Sequence, residues 1–305
     1  MILDCAGRAK RRRRMPRACR GYATLLLCNP VAHTGQKFQT KAVAVIPARY
    51  SSTRLPGKPL LDIAGKPLIV WVAERARAAS TISRTIIATD DPRIVDAVNA
   101  AGFDAVITRA DHATGTDRIA EVAHNLRADI IVNVQGDEPL IDPETIDRAV
   151  NALIEDPDAQ ISTTWESISD AADVSNPSVV KVTFDEHGYA TNFARNPIRL
   201  NNQTAKKDAA TESSPDTPGL LFGFKKHTGL YAYRRDFLLQ FARWPQTENE
   251  RKESLEQLRA LDRGVKIKVV EAASPSIGVD TMEDLARVRR IIEHGAQVSG
   301  ALSSA

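Results

Sequence analysis

AVAVIPARYSSTRLPGKPL, residues 42–60, joins an apolar segment to a cationic one. Its first seven residues, Ala42 to Ala48, are nearly all apolar, as expected of a strand covered on both faces. The next residues are polar and carry Arg49, Arg54 and Lys58, with Gly57 and Pro59 among them. Pro67 then suits the first turn of a helix running to about Ala79. A buried strand feeding a helix through a polar turn is the opening unit of a layered α/β fold.

Downstream the unit repeats. RTIIAT (84–89) reads as a second strand, with Asp91 and Pro92 as the cap and first residue of the next helix. Gly102 closes that helix. DAVIT (104–108) is a third strand, a helix begins near Thr116 with Thr116 or Asp117 as its cap, and DIIVNV (129–134) is a fourth strand. Pro143 opens another helix. Strands alternating with helices predict a Rossmann-like, doubly wound, mostly parallel sheet, which binds ligands beyond the carboxyl ends of its strands.

After about residue 160 the rhythm changes. VVKVTF, DEHG and YATNFA (179–194) read as a β-hairpin, and HTGLYAY (227–233) as another strand. Residues of about 160–235 therefore form a smaller β-rich subdomain. ESLEQLRALDRG (253–264) has the spacing of a helix with Leu255, Leu258 and Leu261 on one side. KIKVVEA (266–272) is a strand, and Asp280 or Thr281 caps a last helix ending near Glu293. Residues 294–305 read as a flexible tail, and 196–224, rich in polar residues, as a mobile loop.

Residues 1–41 stand apart. Arg11 to Arg14 precede the apolar run YATLLLCNPVA (22–32), which is too short to span a bilayer. A secretory signal, an Arg-rich transit peptide and an unstructured extension with Met15 as a second start are all compatible with it. The net charge of +3 in 305 residues is small, and much of the excess sits in that arginine run, so the body is a poor nucleic-acid binder. Cys5, Cys19 and Cys28 all precede the first strand and lack zinc-ligand spacing, leaving a cysteine-free body suited to a reducing compartment.

Chemistry concentrates in the loops after strands. Arg49, Arg54 and Lys58 share one strand-to-helix turn, enough positive charge to meet a polyphosphate, although solvated surface cations would look the same. The spacing of a Walker loop is absent. VQGDEP (134–139) puts Asp137 and Glu138 where a carboxylate can hold a magnesium ion against phosphate. Asp280 has a complete alternative reason to exist as a helix cap.

Taken in order, PARYSSTRLPGKPL, IATDD, TRADHATGTDR, VNVQGDEP, HTGLYAYR, LEQLR and GVDTMEDL resemble the CMP-Kdo synthetases (3-deoxy-manno-octulosonate cytidylyltransferases) from about Ala42 to Glu293. The resemblance implies transfer of CMP from CTP to an acidic sugar in the cytoplasm, with Mg2+, by a homodimer that needs neither membrane nor nucleic acid. It implies that Ala48, Arg49, Ser51, Arg54, Lys58 and the loop from Arg109 through Gly115, Thr116 and Asp117 bind the nucleotide. It assigns catalysis to Arg49, Lys58, Asp137 and Asp280, and the metal to Asp137 and Asp280. Gln135, Arg195, His227, Tyr231, Glu256 and Gln257 would face the sugar. The chain departs from the family pattern where a tryptophan is usual after Arg195, here NPIRLNNQTAKKDAATESSP, and at Leu261 and Asp262, where an aromatic is common. Those departures bear on the acceptor: Kdo, its 8-amino analogue or a sialic-type acid, with a non-catalytic CTP-binding protein as the other alternative.

Overall fold

The first strand, β1, is Ala42–Ala48, and its side chains divide strictly between two cores. Ala42, Ala44, Ile46 and Ala48 enter one apolar cluster. Val43 and Val45 enter the other. That period of two, apolar on both faces, is what a central parallel strand requires. The computed structural model describes residues 40–51, 55–197 and 225–303. The expected N-terminal extension up to residue 39, Arg54 and most of the 196–224 loop lie outside the described residues.

From β1 the chain forms helix α1 (Leu68–Ala78), strand β4 (Ile82–Thr89), helix α2 (Pro92–Ala100) and strand β5 (Asp104–Ile107). Between β1 and α1 lies a small hairpin of β2 (Asp62–Ile63) and β3 (Lys66–Pro67). Helix α3 (Gly115–His124), strand β6 (Ile130–Asn133), helix α4 (Pro143–Glu155) and strand β7 (Ile161–Ser167) follow. The second half supplies β8 (Lys181–Phe184), β9 (Ala190–Ala194), β10 (Lys225–Arg234) and β11 (Ile267–Glu271).

The main sheet runs β11-β7-β10-β6-β1-β4-β5, with the antiparallel hairpin β8–β9 branching from β10. β1 pairs in parallel with β4 on one side and β6 on the other. The chain thus leaves β1 toward β4 and β5, then returns to the opposite side as β6. That reversal sets a switch point between β1 and β6, beyond whose carboxyl ends open α/β sheets place ligands. β10 is antiparallel to both β6 and β7. The β-rich half extends the same sheet through β7, β8, β9 and β10 rather than forming a sheet of its own.

Two expectations change. The helix expected over 253–264 is helical only at Leu258–Leu261, and a separate short helix, Glu248–Glu253, ends where it was expected to begin. They are separated at Ser254, whose φ of 53° is left-handed and stops the first. The final helix runs Met282–Ser303, past the expected end near Glu293. Leu285, Val288 and Ile292 seat it in the core, and no proline follows to stop it.

Candidate active site

Lys58 stands at the start of a 3-10 turn, Lys58–Leu60. Gly57 ahead of it has φ of 68°, and a Cβ there would also crowd the Tyr50 hydroxyl at 3.3 Å, so glycine suits the turn. The turn aims the Lys58 ammonium between two carboxylates. Nζ donates to Asp137 Oδ2 at 2.7 Å and to Asp280 Oδ1 at 3.2 Å. Side chains 79 and 222 residues away in sequence meet on one cation. Enclosure lowers the Lys58 pKa, but the two carboxylates raise it by more, leaving it above its ordinary value and firmly protonated.

Each carboxylate arrives by a traceable route. Asp137 follows β6 through Gly136, where a Cβ would lie 2.7 Å from the Pro47 carbonyl of β1. Glycine therefore lets the β6 loop press against β1. Asp280 arrives on a segment tied back by Val279 N–H, which donates to the Asp137 carbonyl at 2.8 Å. Asp280 is not the cap of the last helix. Asp284 accepts from the Asp280 and Thr281 N–H groups, and the Thr281 hydroxyl accepts from Asp284 N–H. The cap is Thr281, which leaves the Asp280 carboxylate to the site.

Glu138, next to Asp137, is pushed up to about 7 by removal from water and by the Asp137 charge. Behind it, buried Glu166 accepts from Lys226 Nζ at 3.0 Å and from Ser276 N–H at 3.0 Å.

Of the residues expected to bind nucleotide, Gly115, Thr116 and Asp117 form the amino end of α3. Its cap is Thr114 rather than Thr116 or Asp117, in a reciprocal box with Asp117 at the third helical position. Gly115 packs against Pro47, with a hypothetical Cβ 3.5 Å from its ring. The dipole of this helix end favours an anion. Ala48 is buried at the end of β1, and Ser51 is exposed in the loop beyond it. Arg49 reaches across to the His112 carbonyl, NH2 to O 2.6 Å. Arg109 is turned away: it is exposed, pairs with Asp111 at 3.3 Å and lines an outer cavity with Leu239 and Arg243.

The sugar-side candidates lie along β10. A bulge between His227 and Tyr231 carries Gly229, whose carbonyl accepts from Gln135 Nε2 at 2.8 Å. His227 Nε2 bonds the Thr163 hydroxyl at 2.9 Å, and that hydroxyl donates to the Leu230 carbonyl at 2.7 Å. Nε2 is therefore the protonated nitrogen. Burial drives the His227 pKa down to about 3, so the ring is neutral, packed on Tyr231 at 5.3 Å between ring centres. Glu256 accepts a short hydrogen bond from the Thr116 hydroxyl and lies 3.3 Å from Arg259. Burial raises its pKa. Gln257 is buried at the start of the helix Leu258–Leu261. The Arg195 guanidinium is committed to main-chain carbonyls of Glu253 at 2.9 Å and Pro177 at 3.0 Å, so it braces the hairpin end.

Several partners escape the sequence. Arg118 is wholly buried and ties Thr108 at 2.5 Å to Asp90 at 2.8 Å, past the ends of β5 and β4. Its place one residue beyond the Gly115–Asp117 loop is the one signal that marks it. Glu166 and Lys226 carry none. Among the described residues no group of three or more His, Cys, Asp or Glu side chains could hold a metal by protein ligands alone.

A cationic turn, a helix amino end and paired carboxylates at the reversal point of a doubly wound sheet define a nucleotidyltransferase-type site. The cytidylyltransferase family model matches residues 43–267. The 3-deoxy-manno-octulosonate cytidylyltransferase of Trichlorobacter lovleyi is 49% identical over 255 residues, 83% of this chain and 99% of that one. The protein of the same name from Syntrophotalea carbinolica is 51% identical over 245 residues, 80% of this chain and 96% of its own. Among solved structures, a CMP:2-keto-3-deoxy-manno-octonic acid synthetase complexed with CTP matches with TM-score 0.74 and 42% identity, covering 84% of this chain and 100% of that one. A cytidylyltransferase from Leptospira borgpetersenii, 17% identical with TM-score 0.53 over 84% of this chain and 87% of its own, shares the fold. The chain belongs to the cytidylyltransferases, and among them to the 3-deoxy-manno-octulosonate cytidylyltransferase family.

Proposed function

We propose that this chain transfers CMP from CTP to 3-deoxy-D-manno-octulosonate (Kdo) and releases pyrophosphate, the step that activates this acid sugar for lipopolysaccharide synthesis. The observation that carries the reading is the meeting of Asp137 and Asp280 on the Lys58 ammonium. The names of the relatives support the substrate pair, and the CTP-bound neighbour supports the nucleotide.

The donor set fits magnesium. This ion takes one or two carboxylates and completes its shell with water and substrate phosphate, so two convergent aspartates and no closed protein cage suit it. Asp137 and Asp280 would hold it, and when bound it would lower the pKa of the sugar hydroxyl and offset charge on the α-phosphate. The chain's own residues do the rest. Lys58, held protonated, places a fixed positive charge beside the reacting phosphate. Arg49, the N–H groups opening α3 and, on the family resemblance, Arg54 take the remaining phosphate charge. Gln135 is oriented by the Gly229 carbonyl, and neutral His227, its Nε2–H committed to Thr163, keeps only Nδ1 as an acceptor and adds no charge. Positioning and charge neutralisation supply most of the barrier reduction in this class of reaction.

No helix among the described residues is long and apolar enough to cross a membrane. A cysteine-free body and a CTP substrate support a cytoplasmic location, and the family resemblance supports a homodimer.

The test is pyrophosphate release from CTP and Mg2+ with Kdo, 8-amino-Kdo and a sialic acid offered separately. Turnover with Kdo at least tenfold above the others is expected. Preference for another acid reassigns the acceptor, and CTP binding without release from any of them makes the chain a non-catalytic binder.

A further inference from the structure

The segment between β5 and α3, residues 108–114, has no regular structure, yet its carbonyl at His112 receives Arg49. Something must hold such a segment still, because an irregular loop has many conformations of similar energy. Glu121, two turns into α3, does so at two points. Its Oε2 accepts from the Arg109 N–H at 3.3 Å and makes a short hydrogen bond with His112 Nε2. The His112 side chain is 5% exposed, so its ring is enclosed while its carbonyl faces the site. Partial removal from water raises the Glu121 pKa, but the bonds from His112 and Arg109 lower it by more. The carboxylate is therefore ionised at neutral pH and a strong acceptor for both donors.

Arg49 has five N–H donors, and the contact with His112 uses one guanidinium nitrogen. The rest of the fork remains available for phosphate. An arginine already restrained loses less rotamer freedom when an anion arrives, which strengthens binding without any new contact.

We propose that Glu121 is a positioning residue for the nucleotide. It staples the 109–112 segment so that the His112 carbonyl holds the Arg49 guanidinium ready for the phosphates. This rests on Arg49 being a phosphate ligand.

The test is a double-mutant cycle on CTP affinity, measured calorimetrically with magnesium and no sugar, for wild type, E121A, R49A and E121A/R49A. R49A is expected to weaken CTP about 100-fold and E121A about 10-fold, with the double variant no weaker than R49A. The melting temperature of E121A should stay within a few degrees of wild type. E121Q, which keeps an acceptor for Arg109 N–H but drops the charge, should fall between wild type and E121A, and replaces it in the cycle if E121A does not fold. The proposal is overturned if Glu121 substitution leaves CTP affinity unchanged, or weakens it by the same factor in the R49A background. If R49A itself binds CTP as wild type does, Arg49 is not a phosphate ligand and the proposal falls with it, a pattern distinct from independent effects.

Discussion

Replacing Asp280 by alanine separates the two jobs open to an aspartate at the start of a helix. Were it the cap, its loss would cost about 1 kcal/mol of stability, lowering the melting temperature by about 2–4 °C for a domain of this size. Capping instead rests on Thr281 and Asp284. Among the contacts removed is the one with Lys58 at 3.2 Å, made by a side chain 47% exposed. A pair that open to water contributes at most about 1 kcal/mol, and removing Asp280 also relieves its repulsion with Asp137, so the loss should stay below that of a helix cap. The tie from Val279 N–H to the Asp137 carbonyl survives, so the segment stays in place.

Turnover should behave in the opposite way. With one of two convergent carboxylates gone, D280A should lose on the order of 10²- to 10³-fold in kcat, or about 2.7–4 kcal/mol of transition-state stabilisation. T281A should show the mirror image: melting lowered by about 2–4 °C and kcat within about threefold of wild type. Thermal melts and continuous pyrophosphate release, read side by side on the two variants, make the comparison. If D280A turned over like wild type at saturating magnesium, or melted as low as T281A, the assignment of Asp280 to the site would be wrong.

Gly136→Ala puts a methyl 2.7 Å from the Pro47 carbonyl, and that carbonyl is main chain with nowhere to go. The loop must move, at about 1–3 kcal/mol, and Asp137 moves with it, so pyrophosphate release should fall at least tenfold at temperatures where circular dichroism still reports a folded protein. His227 has its pKa lowered to about 3 in the fold against 6.5 for the ordinary side chain. Between those values the unfolded chain binds the extra proton, so this contribution is complete above about pH 6.5 and is lost as pH falls toward 3, by up to about 1.4 kcal/mol per unit. Urea unfolding at pH 7 and pH 5 should show that loss in wild type and less of it in H227Q. Arg259→Met strands Glu250, whose carboxylate meets Arg259 at 2.5 and 2.8 Å with both side chains 4% exposed. The variant should be about 3–5 kcal/mol less stable by chemical unfolding, and a small effect there would show that Glu250 finds another partner or water.

The first half of the fold was readable because its chemistry is local. Strands such as Ala42–Ala48 are continuous apolar runs, and Asp91–Pro92 and Asp142–Pro143 announce their helices by residue type alone. β7 was not readable. Its central residues Ser162, Thr163 and Thr164 are fully buried, and no hydropathy pattern marks a strand made of hydroxyls. Each finds a partner only through the fold: Ser162 at the Ala149 carbonyl, Thr163 at Leu230, Thr164 at Thr228. The break at Ser254 was equally hidden, because ESLEQLRALDRG has the spacing of one helix, and the pairing of buried Glu250 with Arg259 across the break is not written in it. At the site, residue types and loop positions pointed to Lys58 and Asp137, the family resemblance added Asp280, and the local sequence left the cap between Asp280 and Thr281, whereas the commitment of Arg195 and the staple at Glu121 are facts of tertiary contact.

What fixes Asp280 in space is therefore not its own helix. The chain from Ala272 to Val279 has no regular structure, yet its polar groups are secured from outside. Arg148 of α4 donates to the Ala272 carbonyl, Thr145 accepts from Ala273 N–H, and Asp142 accepts from the Ser274 hydroxyl. Glu166 of β7 accepts from Ser276 N–H, and the Asp137 carbonyl accepts from Val279 N–H. The amino-terminal half of α4 thus holds the start of the crossover, β7 its middle and the β6 loop its end. Each of these elements also packs against or continues the sheet that delivers Asp137. Both carboxylates are referred to the same rigid layer, so the distance between them follows the core rather than the flexibility of an eight-residue connection, as a phosphoryl transfer tolerant of only small misplacement demands.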